Sequence, residues 1–281
     1  MDLRRYGRAD DFVAAAGTFL AAREAEHNLI LGLSSNLVEA REDFPTAPYL
    51  AIVADRDRVV AAALRTPPYN LILSEVDDPA AVPILVEDLL KDDLPGVVGP
   101  VDPARAFAEG YVAGARATQR LQASERIFRL TTVRPPSPVS GRMRAATLDD
   151  RALVAAWTEG FMQDAFGEVD TAEVATLTDR WLAGVGRTLY LWEDGETVSM
   201  CGAGGRTPNG IRISLVYTPP EARRRGYASA LVAAVSHAQL DAGRRFCFLF
   251  TDLANATSNH IYAAIGYEPV RDVDQYRFAR S

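Results

Sequence analysis

The sequence predicts an α/β protein with two domains of similar size, and three observations support this. The chain has 281 residues, which is enough for two domains that each bury a core. Strand-like and helix-like segments alternate through both halves. Residues 134–141 separate the halves, because four of the eight are Pro or Gly and the segment has neither helical nor strand periodicity. We therefore expect domains at 1–133 and 142–281, joined by a linker at 134–141.

Composition and charge narrow the class of protein. Hydrophobic residues are 48% of the chain and charged residues 24%, as in ordinary globular proteins. The net charge of −7 argues against nucleic acid or an anionic membrane as a partner. No run approaches the roughly 20 apolar residues of a membrane span, and the first ten residues lack the apolar core of a signal peptide. We expect a soluble cytoplasmic protein, and the sequence leaves a homodimer open.

Cysteine and histidine usage gives no sign of a metal site. Cys201 and Cys247 lie in apolar, strand-like runs, so we expect buried free thiols. The three histidines are scattered without ligand spacing. We therefore expect no metal cofactor.

The first half begins with two predicted amphipathic helices within residues 11–40, broken near Gly32. After these helices the predicted elements are, in order, strands at 49–53, 59–64 and 71–73, a helix at 82–90, a strand at 97–99, a helix at 104–112 and a strand at 126–133. The strands at 49–53 and 59–64 flank a charged hairpin turn.

The second half shows the same succession. Two helices come first, and a hairpin follows whose turn contains Asp194 and Gly195, a strong hairpin signal. The predicted elements are helices at 149–161 and 171–182, strands at 190–192, 198–200 and 211–217, a helix from 230, a strand at 246–251 and a short helix ending at Gly266.

Short identities recur at a constant offset of 141 residues. Residues 49–50 match 190–191, and 65–67 match 206–208. Pro79 matches Pro219 one residue out of step. These matches predict a duplicated domain.

The segment 211–229 is the strongest candidate for a binding site. A strand turns through Gly226 into a helix, and a helix start leaves unpaired backbone N–H groups at its positive end. With three consecutive arginines, Arg223 to Arg225, these donors suit a pyrophosphate. Gly226 lets the backbone approach the anion, and Ala228 keeps the next position small. A solvated run of surface charge remains the alternative on local pattern alone.

Residues further along favour the binding site. The pattern Arg223-x-x-Gly226-x-Ala228, followed by Asn255-x6-Tyr262-x3-Gly266-Tyr267, resembles the GNAT superfamily of acyl-CoA-dependent N-acetyltransferases. The resemblance covers the chain well from Met143 onward and the first half only faintly. It implies two GNAT-like domains, each a mixed, mostly antiparallel sheet flanked by helices. It also implies acetyl-CoA as co-substrate and a primary amine, on a small molecule or a peptide, as acceptor.

The resemblance assigns a role to individual residues. Tyr262 would be the general acid that protonates the leaving thiolate, and phenol and thiol pKa values of about 10 and 8.5 are compatible with that role. Within its helix, Ile261 and Ile265 should face the core, and Ser258, Asn259 and Tyr262 a cleft. A core tyrosine is the alternative. The implied cofactor-binding residues are Val216, Tyr217, Thr218, Arg223, Arg224, Arg225, Gly226, Tyr227, Ala228, Ser229 and Asn255.

The general base is not identified by the sequence. Many relatives carry a glutamate on the strand before the pyrophosphate loop, whereas residues 211–217 contain no acid. Asp164, Glu168 and Asp252 are candidates, and a water chain is equally compatible. Residues 168–170 also form an acidic stretch that could border a cationic acceptor.

The first half lacks the anion-binding residues. By the repeat offset, the copy of the arginine loop is 83–86, which contains neither arginine nor glycine. We therefore expect a degenerate domain that holds no pyrophosphate. Three readings remain open: an active N-acetyltransferase, a non-catalytic acyl-CoA sensor, and a scaffold. The arginine loop argues against the scaffold, and Asn255 and Tyr262 argue against the sensor.

Overall fold

The computed structural model describes residues 1–39, 46–167 and 169–280, without the side chains of Phe166 and Arg280. Over these ranges the order β-α-α-β-β-β-α-β-α-β occurs twice in succession. The repetition of element order supports the duplication inferred from the offset of 141 residues.

The first set of ten elements fills the first 130 residues. Its bounds are β1 (Asp2–Arg5), α1 (Ala9–Ala21), α2 (Asn28–Glu39), β2 (Tyr49–Asp55), β3 (Arg58–Arg65), β4 (Leu71–Leu73), α3 (Ala81–Leu89), β5 (Gly96–Pro100), α4 (Val101–Ala115) and β6 (Ala117–Leu130).

The second set begins after the predicted linker, which contains neither helix nor strand. Its bounds are β7 (Arg142–Ala145), α5 (Arg151–Phe166), α6 (Thr171–Ala183), β8 (Arg187–Asp194), β9 (Glu196–Gly204), β10 (Gly210–Tyr217), α7 (Tyr227–Asp241), β11 (Phe246–Asp252), α8 (Ala256–Ile265) and β12 (Glu268–Arg280).

The chain divides into two compact units that do not follow the predicted ranges. The first unit contains 1–128, 250–255 and the residues from Pro269 on, and the second contains 129–249 and 256–268. The expected continuous ranges 1–133 and 142–281 therefore need correction. The reason is β12, which pairs antiparallel with β5 from Val273–Pro100 to Arg277–Gly96.

The first unit is a mixed, mostly antiparallel sheet with the strand order β1-β2-β3-β4-β5-β12-β6. One face is covered by α3 and α4, where Leu85, Phe107 and Tyr111 are buried. The other face is covered by α1 and α2 through Phe12 and Ile30. Apolar residues on both faces explain why β2, β3 and β4 are almost continuously buried.

The second unit has the strand order β11-β10-β9-β8-β7. Helices α5 and α6 pack on it through Trp157 and Trp181. Gly202 permits that packing, because a Cβ there would lie 2.5 Å from the Trp181 ring. Helix α7 contacts β8, β9 and β10. The fold class predicted from the sequence is confirmed in both units.

Some element predictions were wrong or missing. The break between α1 and α2 lies at 22–27, whereas Gly32 is buried inside α2. Residue 40, the predicted end of that helix, lies outside the described residues. Strands β1, β7 and β12 were not predicted, because β1 and β7 are four residues long and rich in charge and β12 alternates with charged residues.

Candidate functional site

Strand β10 is distorted near its end, where the candidate site begins. Its antiparallel register with β9 shifts between Ser214 and Tyr217. Leu215 within this interval has φ +51°, a left-handed conformation that is costly for a leucine. Leu215 is buried, so packing holds the distortion in place.

The parallel ladder between β10 and β11 is short. It joins Gly210–Arg212 to Phe246–Phe248, and β10 continues for five further residues. A strand that extends beyond its ladder can pair with an extended ligand as if with another strand. This segment contains Val216 and Tyr217, and Thr218 follows it, all partly exposed. The Tyr217 carbonyl already accepts from Ser199 Oγ at 3.1 Å.

The loop after β10 ends at an open helix start. Arg224 has φ +62° and Gly226 has φ +85°. Gly226 is the N-cap of α7, and no side chain caps that helix. The N–H groups of the first turn, which includes Ala228 and Ser229, therefore point out of the helix without intrahelical acceptors. Such a helix start can bind an anion.

The three arginines of the loop are exposed. The Arg225 guanidinium lies 4.8 Å from the Tyr227 ring centroid and 3.9 Å from Asp194 Oδ2. Arg223 donates to Asp164 Oδ2 at 2.5 Å and to the Thr218 carbonyl at 2.9 Å. Two of the three arginines are thus paired with carboxylates, Arg225 with Asp194 and Arg223 with Asp164.

Tyr227 has a structural role in addition to the predicted one. Its side chain is buried, and its hydroxyl donates to Asp194 at 2.5 Å. Ser140 donates to the same carboxylate at 2.7 Å. Tyr227 therefore ties the start of α7 to the end of β8, and only its backbone N–H stays available for the predicted cofactor contact.

Tyr262 is more deeply placed than the sequence predicts. Tyr262 and Ile265 form the buried face of α8, and Ile261 is only partly buried, so the predicted cleft-facing stripe is wrong. Burial raises the Tyr262 pKa, and nearby Cys201 raises it further. Within the described residues the hydroxyl has no hydrogen-bond partner, which leaves its proton uncommitted.

A buried group of thiols and phenols surrounds Tyr262. The Tyr267 ring packs edge-on at 6.0 Å, and its hydroxyl lies 2.8 Å from Ser236 Oγ. Cys201 and Cys247 are free and buried, as predicted, and burial raises both thiol pKa values. These groups are therefore neutral at ordinary pH.

The candidate bases are in different situations. Asp164 is paired with Arg223, and Glu168 lies outside the described residues. Asp252 Oδ1 accepts from the Ala254 N–H at 2.7 Å. In the first unit, burial raises the pKa of Glu125, and Asp252 raises it further. Glu125 is not predictable from the sequence, because a lone acid on a mostly polar strand gives no signal.

Asn255 directly precedes α8 and is exposed. Its N–H donates to the Asp252 carbonyl at 3.0 Å, which shapes the turn from β11 into the helix. Its contact with the cofactor stays a prediction.

The counterpart of the arginine loop in the first unit is not where the repeat offset put it. Residues 83–86 lie inside α3, so that alignment was wrong. The segment before α3 carries Glu75, Asp77 and Asp78 instead. Asp77 pairs with Arg23, and Asp78 caps the Ala80 N–H at 3.0 Å. Carboxylates thus stand where an anion would have to bind.

In the first unit, strands β4 and β5 also lie close together at Leu73 and Gly99, where a cofactor arm would need a gap between them. A Cβ at Gly99 would lie 2.9 Å from Leu73 Cβ and 3.2 Å from the Leu73 carbonyl oxygen. Such close approach leaves no room for a ligand arm beside Leu73. Charge and packing both disfavour a cofactor in this unit.

Comparison with known proteins agrees with this architecture. Residues 191–278 match the family model described as FR47-like protein. A tandem GNAT protein from the clavulanic acid biosynthesis pathway shares 16% identity over 99% of this chain and 98% of its own, with a TM-score of 0.58. A GCN5-related N-acetyltransferase from Sphaerobacter thermophilus shares 19% identity over 98% and 94%, with a TM-score of 0.62. A GNAT-family acetyltransferase from Colwellia psychrerythraea shares 10% identity over 99% and 100%, with a TM-score of 0.56.

No curated protein gives a significant sequence match. The family match is confined to residues 191–278, and the solved structures share the fold of nearly the whole chain.

Two absences concern only the part of the chain that is described. None of its helices is long and apolar enough to cross a membrane. It contains no group of three or more His, Cys, Asp or Glu side chains that could hold a metal ion.

Proposed function

We propose that this protein is an acetyl-CoA-dependent N-acetyltransferase whose second unit holds the cofactor. The observation that carries the proposal is the conjunction of three features of β10 and α7. The strand runs beyond its ladder with β11, the loop after it carries Arg223 to Arg225, and the helix start is uncapped. Together they offer an edge for the pantetheine arm and donors for the pyrophosphate.

Tyr262 is the proposed general acid. Transfer breaks the thioester C–S bond and forms a C–N bond to the neutral amine, and the departing sulfur takes a proton. A buried phenol keeps its proton at ordinary pH. A thiolate formed in the same apolar surroundings is a stronger base than in water, which offsets the raised pKa of the phenol.

The acceptor is a primary amine, and its proton must leave before attack. Asp252 and a water chain are the proposed routes for that proton. Asp164 is committed to Arg223 in the free chain.

The test combines binding with turnover. Isothermal titration with acetyl-CoA should show saturable binding. Incubation with acetyl-CoA and a panel of primary amines should release free CoA thiol, detected with a thiol reagent, together with a product 42 mass units heavier than one of the amines. Binding without thiol release for any amine would favour the acyl-CoA sensor. An absence of binding would remove both readings.

A further inference from the structure

The proposed acceptor needs a site of its own, and one side chain of the arginine loop points to it. That side chain is Arg223. Its guanidinium donates to Asp164 Oδ2 at 2.5 Å and to the Thr218 carbonyl at 2.9 Å, and lies 5.7 Å from the Tyr217 ring centroid. The cation thus sits among a carboxylate, a carbonyl and an aromatic face, the groups that recognise organic cations.

We call this group the seat: it consists of Asp164, Tyr217 and the Thr218 carbonyl, and it lies on a helix and at the end of a strand. Asp164 is on α5, and Tyr217 ends β10. A Cβ at Gly160 would lie 2.4 Å from the Tyr217 hydroxyl, so the glycine allows the phenol to lie directly on α5. Trp157 packs against the same ring at 6.2 Å. The aromatic wall therefore keeps its place whether or not Arg223 is present.

The contact between Arg223 and Asp164 is easily exchanged. Their side chains are 42% and 52% exposed, and exposed ion pairs contribute little. Charge-assisted contacts with phosphate are stronger, and Arg223 lies three residues before Gly226. A bound pyrophosphate would compete for this guanidinium and leave the seat empty.

We propose that the seat binds the cationic group of the acceptor amine, and that Arg223 occupies it until acyl-CoA binds. This inference rests on the proposed function, because the pyrophosphate is what draws Arg223 away. It assigns Asp164 to substrate recognition and defines the acceptor class as amines with a second positive charge. Asp164 binds the non-reacting cation, and another nitrogen of the same molecule attacks the thioester.

Agmatine is the matched probe, because it carries a guanidinium like the one that fills the seat and a primary amine. Titration calorimetry should detect agmatine binding to chain saturated with CoA. Without CoA the affinity should be at least tenfold lower. Equal affinity in both states, or no agmatine binding to the CoA complex, would overturn the proposal.

Two variants test whether agmatine binding depends on Asp164 itself or only on the net charge of the unit. Asp164→Asn should weaken agmatine binding to the CoA complex at least tenfold. Asp179→Asn is the control, since it removes a similarly exposed carboxylate of the same unit that is paired with Arg151, and it should leave agmatine binding unchanged. Equal effects of the two variants would contradict the assignment.

For Asp164→Asn we also predict a change in CoA affinity that a misfolded variant could not produce. Asp164→Asn frees Arg223, so CoA should bind about two- to fivefold more tightly than to the wild type, the range expected for an exposed ion pair. Unchanged or weaker CoA binding would contradict competition for Arg223. Failure of wild-type chain to bind CoA at all would instead overturn the proposed function, and this inference with it.

Discussion

Tyr262 is the proposed general acid, so replacing it is the most direct test at the scale of single residues. Tyr262→Phe keeps the ring that packs against Tyr267 and removes only the hydroxyl. We expect acetyl-CoA affinity to stay near wild type and turnover to fall by roughly 10² to 10⁴, as for other lost general acids. Steady-state kinetics with calorimetry measures both.

Tyr267→Phe is the matched control for Tyr262→Phe. It removes another buried hydroxyl, one that bonds to Ser236, and should cost stability without a comparable loss of turnover. Equal losses of rate in both variants would mean that the buried phenols act through packing. A loss of affinity equal to the loss of rate would assign Tyr262 to ground-state binding.

His27 shows what a buried titratable residue does in the first unit. Its Nδ1 lies 3.0 Å from the Leu20 carbonyl, and its Nε2 accepts from the Glu75 N–H at 3.0 Å, which fixes a neutral ring. Burial lowers the His27 pKa below 6.5. The unfolded chain therefore binds a proton first as the pH falls, so this contribution to stability is complete above about pH 6.5 and is lost below it.

This pH dependence predicts that the stability of the wild type and that of His27→Gln change differently with pH. From about pH 6.5 down to the lowered pKa of His27, the free energy of unfolding should fall in the wild type faster than in His27→Gln, by up to about 1.4 kcal/mol per pH unit. Urea unfolding at pH 7.5 and 5.5 measures the slope. Parallel slopes for wild type and His27→Gln would contradict the assignment.

At the scale of elements, the loop that starts α7 can be tested through its glycine. Gly226→Val places a side chain at φ +85°, where its Cβ would lie 2.9 Å from Val139 Cγ1, so the loop that precedes α7 must shift. We expect acetyl-CoA affinity to fall more than tenfold, because lost phosphate contacts cost about 1.5 to 3 kcal/mol. Gly243→Val is the control, since Gly243 has φ +92° and open space around its Cβ position. The control should lose stability to similar strain but keep its affinity.

The sequence predicted the elements of this site well, because their signals are local. The hairpin at Asp194 and Gly195 and the strand-to-helix turn at Gly226 follow from backbone requirements that only certain residues meet. Non-local features were not predictable in the same way. The bulge at Leu215 lies in an ordinary apolar run, and the end of the β10–β11 ladder depends on packing.

The side-chain environments of the site depend on contacts distant in sequence. Periodicity gave the two faces of α8 but not which of them is buried, so Tyr262 was placed on the wrong face. The pairing of Arg223 with Asp164 joins residues 59 positions apart. A single sequence contains no signal for such a contact.

At the scale of the whole molecule, the element order repeats but the compact units do not follow the repeats. Strand β12 closes the second set of elements, yet it belongs to the core of the first unit, where Phe278 stacks on Tyr111 at 4.7 Å. Charged residues alternate along β12 and can form ion pairs with neighbouring strands, as Asp272 does with Arg126 of β6. Cutting the chain at 134–141 would therefore remove part of that core.

The two units differ most in their capacity for an anion, and this leads to a prediction of stoichiometry. The second unit offers an uncapped helix start and three arginines, whereas Glu75, Asp77 and Asp78 precede α3 in the first. Like charges repel a pyrophosphate, and the close approach of Gly99 to Leu73 excludes the pantetheine arm. We expect calorimetric titration of the full chain to give one acetyl-CoA per chain.

Two variants assign that single site to a unit. Gly226→Val should greatly reduce the heat of binding at concentrations that just saturate the wild type, because it distorts the loop that we expect to hold the pyrophosphate. Replacing Asp77 and Asp78 together by alanine should leave the stoichiometry at one, because removing the acids does not open the strands at Gly99. Two equivalent sites in the wild type, or one site that survives Gly226→Val, would show that the first unit binds the cofactor despite its carboxylates.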